Sequence, residues 1–291
     1  MVGILGYGNL GKSLYRILCE RGEDVFVFSN RREGREGDFF SANMLKKESL
    51  PLDTLFLAHG SSGSYRDELL VLAKKYNLIS AYDIHSDLVP LRRELASITE
   101  QHHTVTILGT GWDPGLLSLA RAICRTVFPE GIMKTQWGEG VSEGHSFALR
   151  QIDGVKDAIQ YTVPTEHTHR RICYVVCDRE EESRIQKEIL EKREYFSQNN
   201  TEIHFITEDE FLSKHKGVSF HRGRVSAALE DKSARIDFSV EMQRNPDFTA
   251  RIMIAYLDAI RRLVKEEKWG AYSPLDIPLS YLISDDLYSL W

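Results

Sequence analysis

Three glycines, Gly6, Gly8 and Gly11, stand in the spacing Gly-x-Gly-x-x-Gly directly behind the apolar run Val2 to Leu5. That spacing can hold a dinucleotide: the first glycine permits a tight turn, the second a close approach of backbone to a pyrophosphate, and the third close packing of the next helix on the strand. The helix start then offers amide donors and a partial positive charge to the phosphates. Gly6, Tyr7, Gly8, Asn9, Leu10 and Gly11 are thus candidate cofactor residues, against the plainer reading of a structural glycine turn. A second apolar run, Val25 to Phe28, leads into Ser29-Asn30-Arg31-Arg32, where a chain that binds NAD carries an acidic residue for the ribose 2′-hydroxyl. A hydroxyl and two guanidinium groups suit a 2′-phosphate instead, so NADP is the expected cofactor; a solvated basic loop is the alternative. After a third run, Thr54 to Leu57, the stretch Ala58-His59-Gly60-Ser61 is small enough for a cofactor to pass closely, with His59 packing beside it rather than exchanging protons.

Two carboxylates follow at corresponding places. Asp83 lies in Ala81-Tyr82-Asp83, at the end of the run Leu78 to Ala81, and Asp113 lies in Thr110-Gly111-Trp112-Asp113-Pro114, just past Val105 to Leu108. Ligands of doubly wound sheets bind at the carboxyl ends of strands, so both loops are expected to border the cofactor. Asp113 also reads as a helix cap with Pro114 at the first helical position, a role compatible with holding a substrate ammonium. Two carboxylates beside a nicotinamide point to an amine, not a hydroxyl, as the group oxidised.

The elements that must position these residues follow from periodicity. Over residues 1–110, short β-type runs alternate with amphipathic stretches near Lys12–Arg21, Ser64–Tyr76 and Leu88–Gln101, the pattern of a parallel sheet with crossover helices. An α/β fold is expected, with an N-terminal Rossmann-type dinucleotide-binding domain over residues 1–112. From about Lys134 the alternation seen in Ala234 to Val240 predicts an antiparallel sheet. A long helix from Arg179 to Gln198, with Ile185, Ile189 and Phe196 along one stripe, is predicted to interrupt it. A last helix opens at Asn245-Pro246 and carries Ile252, Tyr256, Ile260 and Leu263 on one side. Its position suggests that residues 246–291 return to the first domain, leaving 113–245 as an α+β domain.

Composition narrows the class of partner. The 291 residues are 42% apolar and 27% charged, an ordinary globular balance for two domains, and the net charge of −6 supplies no basic field for a nucleic-acid backbone. A small-molecule partner is favoured. Cys19, Cys124, Cys173 and Cys177 form no CxxC pair, and Cys173 and Cys177 read as buried strand positions, so no metal site is expected. Apolar runs fall far short of the roughly 18–20 residues that cross a bilayer. No signal segment precedes Val2, and a cytoplasmic chain is expected.

Six blocks carry a resemblance. Tyr7-Gly-Asn-Leu-Gly11, Gly111-Trp-Asp-Pro-Gly115, Gly144-His-Ser-Phe-Ala-Leu-Arg150, Gln160-Tyr-Thr-Val-Pro164, His169-Arg-Arg171 and Arg244-Asn-Pro-Asp-Phe-Thr249, in this order over nearly the whole chain, resemble the meso-diaminopimelate dehydrogenase family. The resemblance implies a homodimer that uses NADP to deaminate, reversibly, the D-configured centre of meso-2,6-diaminopimelate. The products would be L-2-amino-6-oxopimelate, which cyclises to tetrahydrodipicolinate, with ammonia and NADPH, within lysine and diaminopimelate metabolism. It further implies that Asp83 and Asp113 hold the reacting amine, one of them acting as base, and that the backbone around Ser142, Glu143 and Gly144 receives the adjacent carboxylate. Trp112 and Trp137 would form walls, and Thr162, Arg171, His221 and Asn245 would meet the distal L-centre, Arg171 through both carboxylate oxygens. Residues 113–245 would then bind substrate and form the dimer.

Each of these has a plainer reading: Arg171 as a surface strand arginine, Asn245 as a helix cap, His221 as a loop histidine, Trp137 as core. The chain also departs from the family pattern in the short stretch from Pro164 to His169 and at Glu143 and Phe147. A carboxylate at Glu143, beside a substrate carboxylate, bears on affinity or range. Two other functions compete: an NADP-dependent dehydrogenase of broader D-amino acid range, which needs no distal clamp, and a non-catalytic NADP-binding sensor, against which both cleft carboxylates argue.

Overall fold

In the computed structural model, residues 1–29, 39–47, 49–60, 65–165, 168–192, 196 and 200–283 are described. Asn30, Arg31, Arg32 and Ser61, named above as cofactor residues, lie outside the described residues. The elements in chain order are β1 (Val2–Leu5), α1 (Asn9–Glu20), β2 (Val25–Phe28), β3 (Phe39–Phe40), α2 (Asn43–Lys47), β4 (Thr54–Leu57), α3 (Tyr65–Leu72), β5 (Leu78–Ser80), α4 (His85–His102), β6 (Val105–Leu108) and α5 (Leu116–Val127). There follow β7 (Ile132–Val141), α6 (Glu143–Arg150), β8 (Asp157–Pro164), β9 (His169–Val176), α7 (Glu182–Glu191), β10 (Thr201–Phe205), α8 (Glu208–Lys214), β11 (His221–Ala228) and β12 (Arg235–Met242). The chain ends with α9 (Asn245–Lys265), β13 (Gly270–Tyr272) and α10 (Leu279–Leu282). It divides into two units, Met1–Ala122 with the segment from Pro246 onward, and Ile123–Asn245. The division falls inside α5, between Ala122 and Ile123.

The first unit is built on a parallel sheet in the order β13-β6-β5-β4-β1-β2-β3. Val2 and Ile4 of β1 point to one face and Leu5 to the other, as the two-residue repeat of a strand requires. On the first face Leu14 and Leu18 of α1 and Met253, Leu257 and Ile260 of α9 pack on Ile4, Phe56 and Ile107. On the second, Leu69, Leu91 and Leu95 of α3 and α4 pack on Leu55, Leu57 and Leu78. Helix α9 is stitched down by Arg261, which donates to both oxygens of Glu23 at 2.7 Å and to Asp53 at 2.8 Å. The sheet runs outward in opposite directions from β1 and β4, and that reversal opens the crevice at their carboxyl ends.

The second unit holds a six-stranded sheet in the order β10-β9-β8-β7-β11-β12. Its pairs are antiparallel except β9 with β10, which is parallel and corrects the all-antiparallel expectation. The reason is α7, a crossover that returns the chain to the end from which β9 began. Helix α7 is itself shorter than predicted: Arg179–Glu181 form a 3₁₀ turn and the α-helix ends at Glu191. Phe196 is still buried with Ile185 and Ile189, so the apolar stripe records a shared core and not a continuous helix.

Candidate active site

The glycine turn after β1 has the shape the spacing predicts. Gly6 has φ +101°, and a Cβ on Gly11 would lie 2.1 Å from the Gly6 carbonyl oxygen, so α1 can start this close only with glycine there. A Cβ on Gly8 would meet nothing within 4 Å, and no side chain caps the helix at Gly8. Open space beside uncapped first-turn amides is what a pyrophosphate needs. Tyr7 packs edge-on to Phe39 at 4.7 Å, Leu10 packs on the core, and the Ser29 amide donates to the Phe40 carbonyl at 2.9 Å, which holds the end of β2. Ala58 is buried against the Gly6 turn, and Gly60 is exposed. His59 is held by its neighbours, with Nε2 3.0 Å from Glu68 and its ring edge-on to Tyr65 at 4.7 Å. The adjacent His59 imidazole, aided by Lys46, lowers the Glu68 carboxyl to about 2.

At the next strand end Ala81 is half-buried, Tyr82 is buried and Asp83 is exposed. The Tyr82 hydroxyl donates to Asp87 at 2.7 Å, Asp87 takes both oxygens' share of Arg66 at 2.7 and 2.6 Å, and the Tyr82 ring stacks on Tyr65 at 5.5 Å. Burial, then Asp87, pushes the Tyr82 phenol well up, so it remains a neutral donor. The loop that carries Asp83 is thus braced from α3 and α4.

Thr110, Gly111 and Pro114 are buried, and the Thr110 hydroxyl has no hydrogen-bond partner among the described residues. Trp112 is half-buried. Asp113 is not the helix cap expected of it. Helix α5 starts at Leu116, and the amides of Leu116 and Leu117 are taken by the carbonyls of Gly111 and Trp112, so backbone does the capping. The Asp113 carboxylate instead receives Arg121, at 2.5 Å on one oxygen and 3.2 Å on the other, and its side chain is 1% exposed.

In the second unit, strand register assembles a row. Arg171 of β9 pairs with Thr162 of β8, Thr162 with Gly140 of β7, and Gly140 with His221 of β11. Directly paired residues share one face, so Arg171, Thr162 and His221 line up across four strands. Gly140 leaves the notch between them, since a Cβ there would lie 2.4 Å from the His221 Cα. Arg171 is half-buried, with burial pulling its guanidinium down from the usual value, and among the described residues no carboxylate pairs with it. His221 is buried and its Nδ1 donates to the Arg222 carbonyl at 2.8 Å, which makes Nε2 the acceptor nitrogen. Asn245 is buried, and its amide donates to Ser219, two residues before His221. Trp137 pairs with Gly223, beyond a register shift that separates it from the His221–Gly140 pair, and lies edge-on to His169 at 6.3 Å. Ser142 caps α6, with Glu143 and Gly144 in its first turn, all half-buried; burial raises the Glu143 carboxyl against the opposing pull of Arg150.

Three residues escaped the sequence reading. His145 stands between Ser142 Oγ, 2.6 Å from its Nδ1, and Arg171 Nε, 3.4 Å from its Nε2. Arginine only donates, so His145 accepts at Nε2 and donates from Nδ1 to Ser142. The Ser-x-x-His spacing of a helix cap was the available signal. Gln160 donates to the Thr162 hydroxyl at 3.2 Å, two residues along the same face of β8, and Arg121 reaches Asp113 from α5 without a local signal, because Asp113 precedes the helix. Among the described residues no cluster could hold a metal ion, and no helix is long and apolar enough to cross a membrane.

Comparisons with known proteins agree on one relationship. Residues 111–168 and 165–244 match the family model of the diaminopimelic acid dehydrogenase C-terminal domain. The meso-diaminopimelate D-dehydrogenase of Acetivibrio thermocellus is 33% identical over 97% of this chain and 93% of its own. The structure of C. glutamicum DAP dehydrogenase in complex with DAP superposes with a TM-score of 0.91 at 30% identity, covering 99% of this chain and 97% of that one. An engineered D-amino acid dehydrogenase bound to NADP+ superposes at 0.93, also at 30% identity, with 99% and 97% covered.

Proposed function

The chain belongs to the meso-diaminopimelate dehydrogenase family, and from that premise we propose that it is an NADP-dependent oxidoreductase that deaminates the D-centre of meso-2,6-diaminopimelate. The products are L-2-amino-6-oxopimelate, in equilibrium with tetrahydrodipicolinate, and ammonia, in lysine and diaminopimelate metabolism. The observation that carries this reading is the row Arg171–Thr162–His221, with a half-buried guanidinium that no described carboxylate satisfies. A second charged end on the substrate fits it.

NADP fits the cradle at Gly6, Gly8 and Gly11 and the loops at Ala58–Gly60 and Thr110–Pro114, where it supplies the hydride acceptor. Asp83 and Asp113 take the reacting ammonium, which must lose a proton before the carbon can be oxidised; water then hydrolyses the iminium of the substrate. The first-turn amides of α6, at Glu143 and Gly144, take the adjacent carboxylate, and Trp112 and Trp137 are the walls. Arg171 grips the distal carboxylate through two donors, helped by the Thr162 hydroxyl. His221, an acceptor at Nε2, suits the distal ammonium, as does the Asn245 side chain. Ile123 and Val127, neighbours on α5, with Ile132 and Phe238, are exposed apolar residues of the second unit and support a homodimer. A cytoplasmic location accords with the unpaired cysteines.

The test is NADPH formation with meso-, L,L- and D,D-diaminopimelate and with D-alanine, each with NADP and NAD. Strong turnover of the meso isomer with NADP is the expected result. Equal turnover of D-alanine would move the reading to a broad D-amino acid dehydrogenase, and NADP binding without any turnover would move it to a sensor.

A further inference from the structure

Asp83 and Asp113 follow adjacent strands, since β5 pairs with β6, yet their surroundings differ. The Asp113 side chain is 1% exposed and both of its oxygens are gripped by Arg121, while Asp83 is exposed. Arg121 is itself held: it donates to Ser118 Oγ at 3.0 Å, and that hydroxyl accepts from the Gly115 amide at 3.2 Å. Arg121 and Ser118 thus reach Asp113 from α5, while Tyr82 and Asp83 follow the neighbouring strand β5.

A group that takes a proton in every turnover must hand it to water before the next. A carboxylate held at both oxygens by one guanidinium is badly placed for that exchange, because taking a proton would break a charge-assisted pair. It is suited to act as a fixed acceptor, oriented by the rigid guanidinium fork. We infer that Arg121 is a positioning residue that fixes Asp113 as the acceptor orienting the reacting ammonium, and that Asp83 is the carboxylate that takes the proton. In balance, the C–NH₃⁺ group gives one proton to the Asp83 carboxylate, which becomes the acid and then releases that proton to water; Asp113 exchanges none. The inference rests on the amine-oxidising reading above and deepens it.

The experiment compares Asp83→Ala, Asp113→Ala, Asp113→Asn, Arg121→Gln, Arg121→Lys and the Asp113→Asn/Arg121→Gln pair, each checked first for NADP binding. Asp83→Ala is expected to lose on the order of a hundredfold in kcat, with part of it restored by added formate, and little in KM. Arg121→Gln is expected to raise KM roughly tenfold, with a smaller loss of kcat, and Arg121→Lys to lie between, because an ammonium keeps the charge but not the fork. Added to Asp113→Asn, Arg121→Gln should cost less than about twofold more. An Arg121 with a purely structural role would lower Tm but leave KM at the wild-type value and add its full effect to Asp113→Asn, which overturns the inference. Formate rescue of Asp113→Ala in place of Asp83→Ala overturns it equally. If Arg121→Gln does not fold, Arg121→Lys and the aspartate variants make the same comparison. A wild type that does not turn over diaminopimelate overturns the functional reading and this one together; a wild type that does, with KM unchanged in the Arg121 variants, overturns this one alone.

Discussion

At the scale of single residues, the distal site depends on how donors are shared. Arg171 has its guanidinium available because its one described side-chain partner is a neutral histidine, not a carboxylate. Arg171→Met should raise KM for diaminopimelate roughly tenfold to a hundredfold, the range for a lost charge-assisted bond, with a smaller change in kcat. His145→Ala should give a milder loss of about threefold to tenfold in kcat/KM, since it orients the clamp without touching the substrate. Glu143 makes a prediction with a sign. Burial raises its carboxyl, so it is neutral at low pH and ionises only above the ordinary range. Its ionised form repels the substrate carboxylate, so KM should climb with pH in the wild type and climb less in Glu143→Gln; steady-state KM values across pH decide it. His59 shows the limit of residue type alone, because its neighbours Glu68 and Tyr65 determine its place beside the β4 loop.

At the scale of elements, glycines and long-range arginines do what strands and helices cannot do alone. Gly140→Ala would force β7 from β11, because the added Cβ has only 2.4 Å to the His221 Cα. The variant should lose diaminopimelate binding by about tenfold or more while NADP affinity, which depends on the first unit, stays near wild type; paired titrations of the two ligands measure this. Arg261 ties α9 to Glu23 and Asp53, and its hydrogen bond is the main cause that lowers the Glu23 carboxyl. A depressed carboxyl stabilises the fold at pH above its unfolded value of 4.5 and loses that contribution as pH falls through the folded value. Arg261→Met should therefore shift acid unfolding to higher pH and lower stability at neutrality, and the wild-type advantage should vanish below that window. The parallel β9–β10 pair belongs to this scale too: the alternation within each strand was legible, whereas the direction of pairing came from the crossover helix α7.

At the scale of the whole molecule, a homodimer should sediment as such at micromolar concentration, and Ile123→Glu, which charges an exposed apolar face of α5, should shift it toward monomer; a wild type found only as monomer would exclude the dimer. The sequence by itself determined the dinucleotide cradle and the alternating parallel architecture, because both are written in contiguous residues: a glycine spacing behind a buried strand, and apolar runs repeated at helical and strand periods. Its ordered blocks also carried the family resemblance. It could not decide how Asp113 is used, since the local pattern of an aspartate before a proline reads as a cap while the partner, Arg121, comes from the helix beyond. Nor could it place Arg171, Thr162 and His221 side by side. Those residues come from three strands, joined across the notch at Gly140, and only the hydrogen-bonded register of the folded sheet brings such distant positions onto one face.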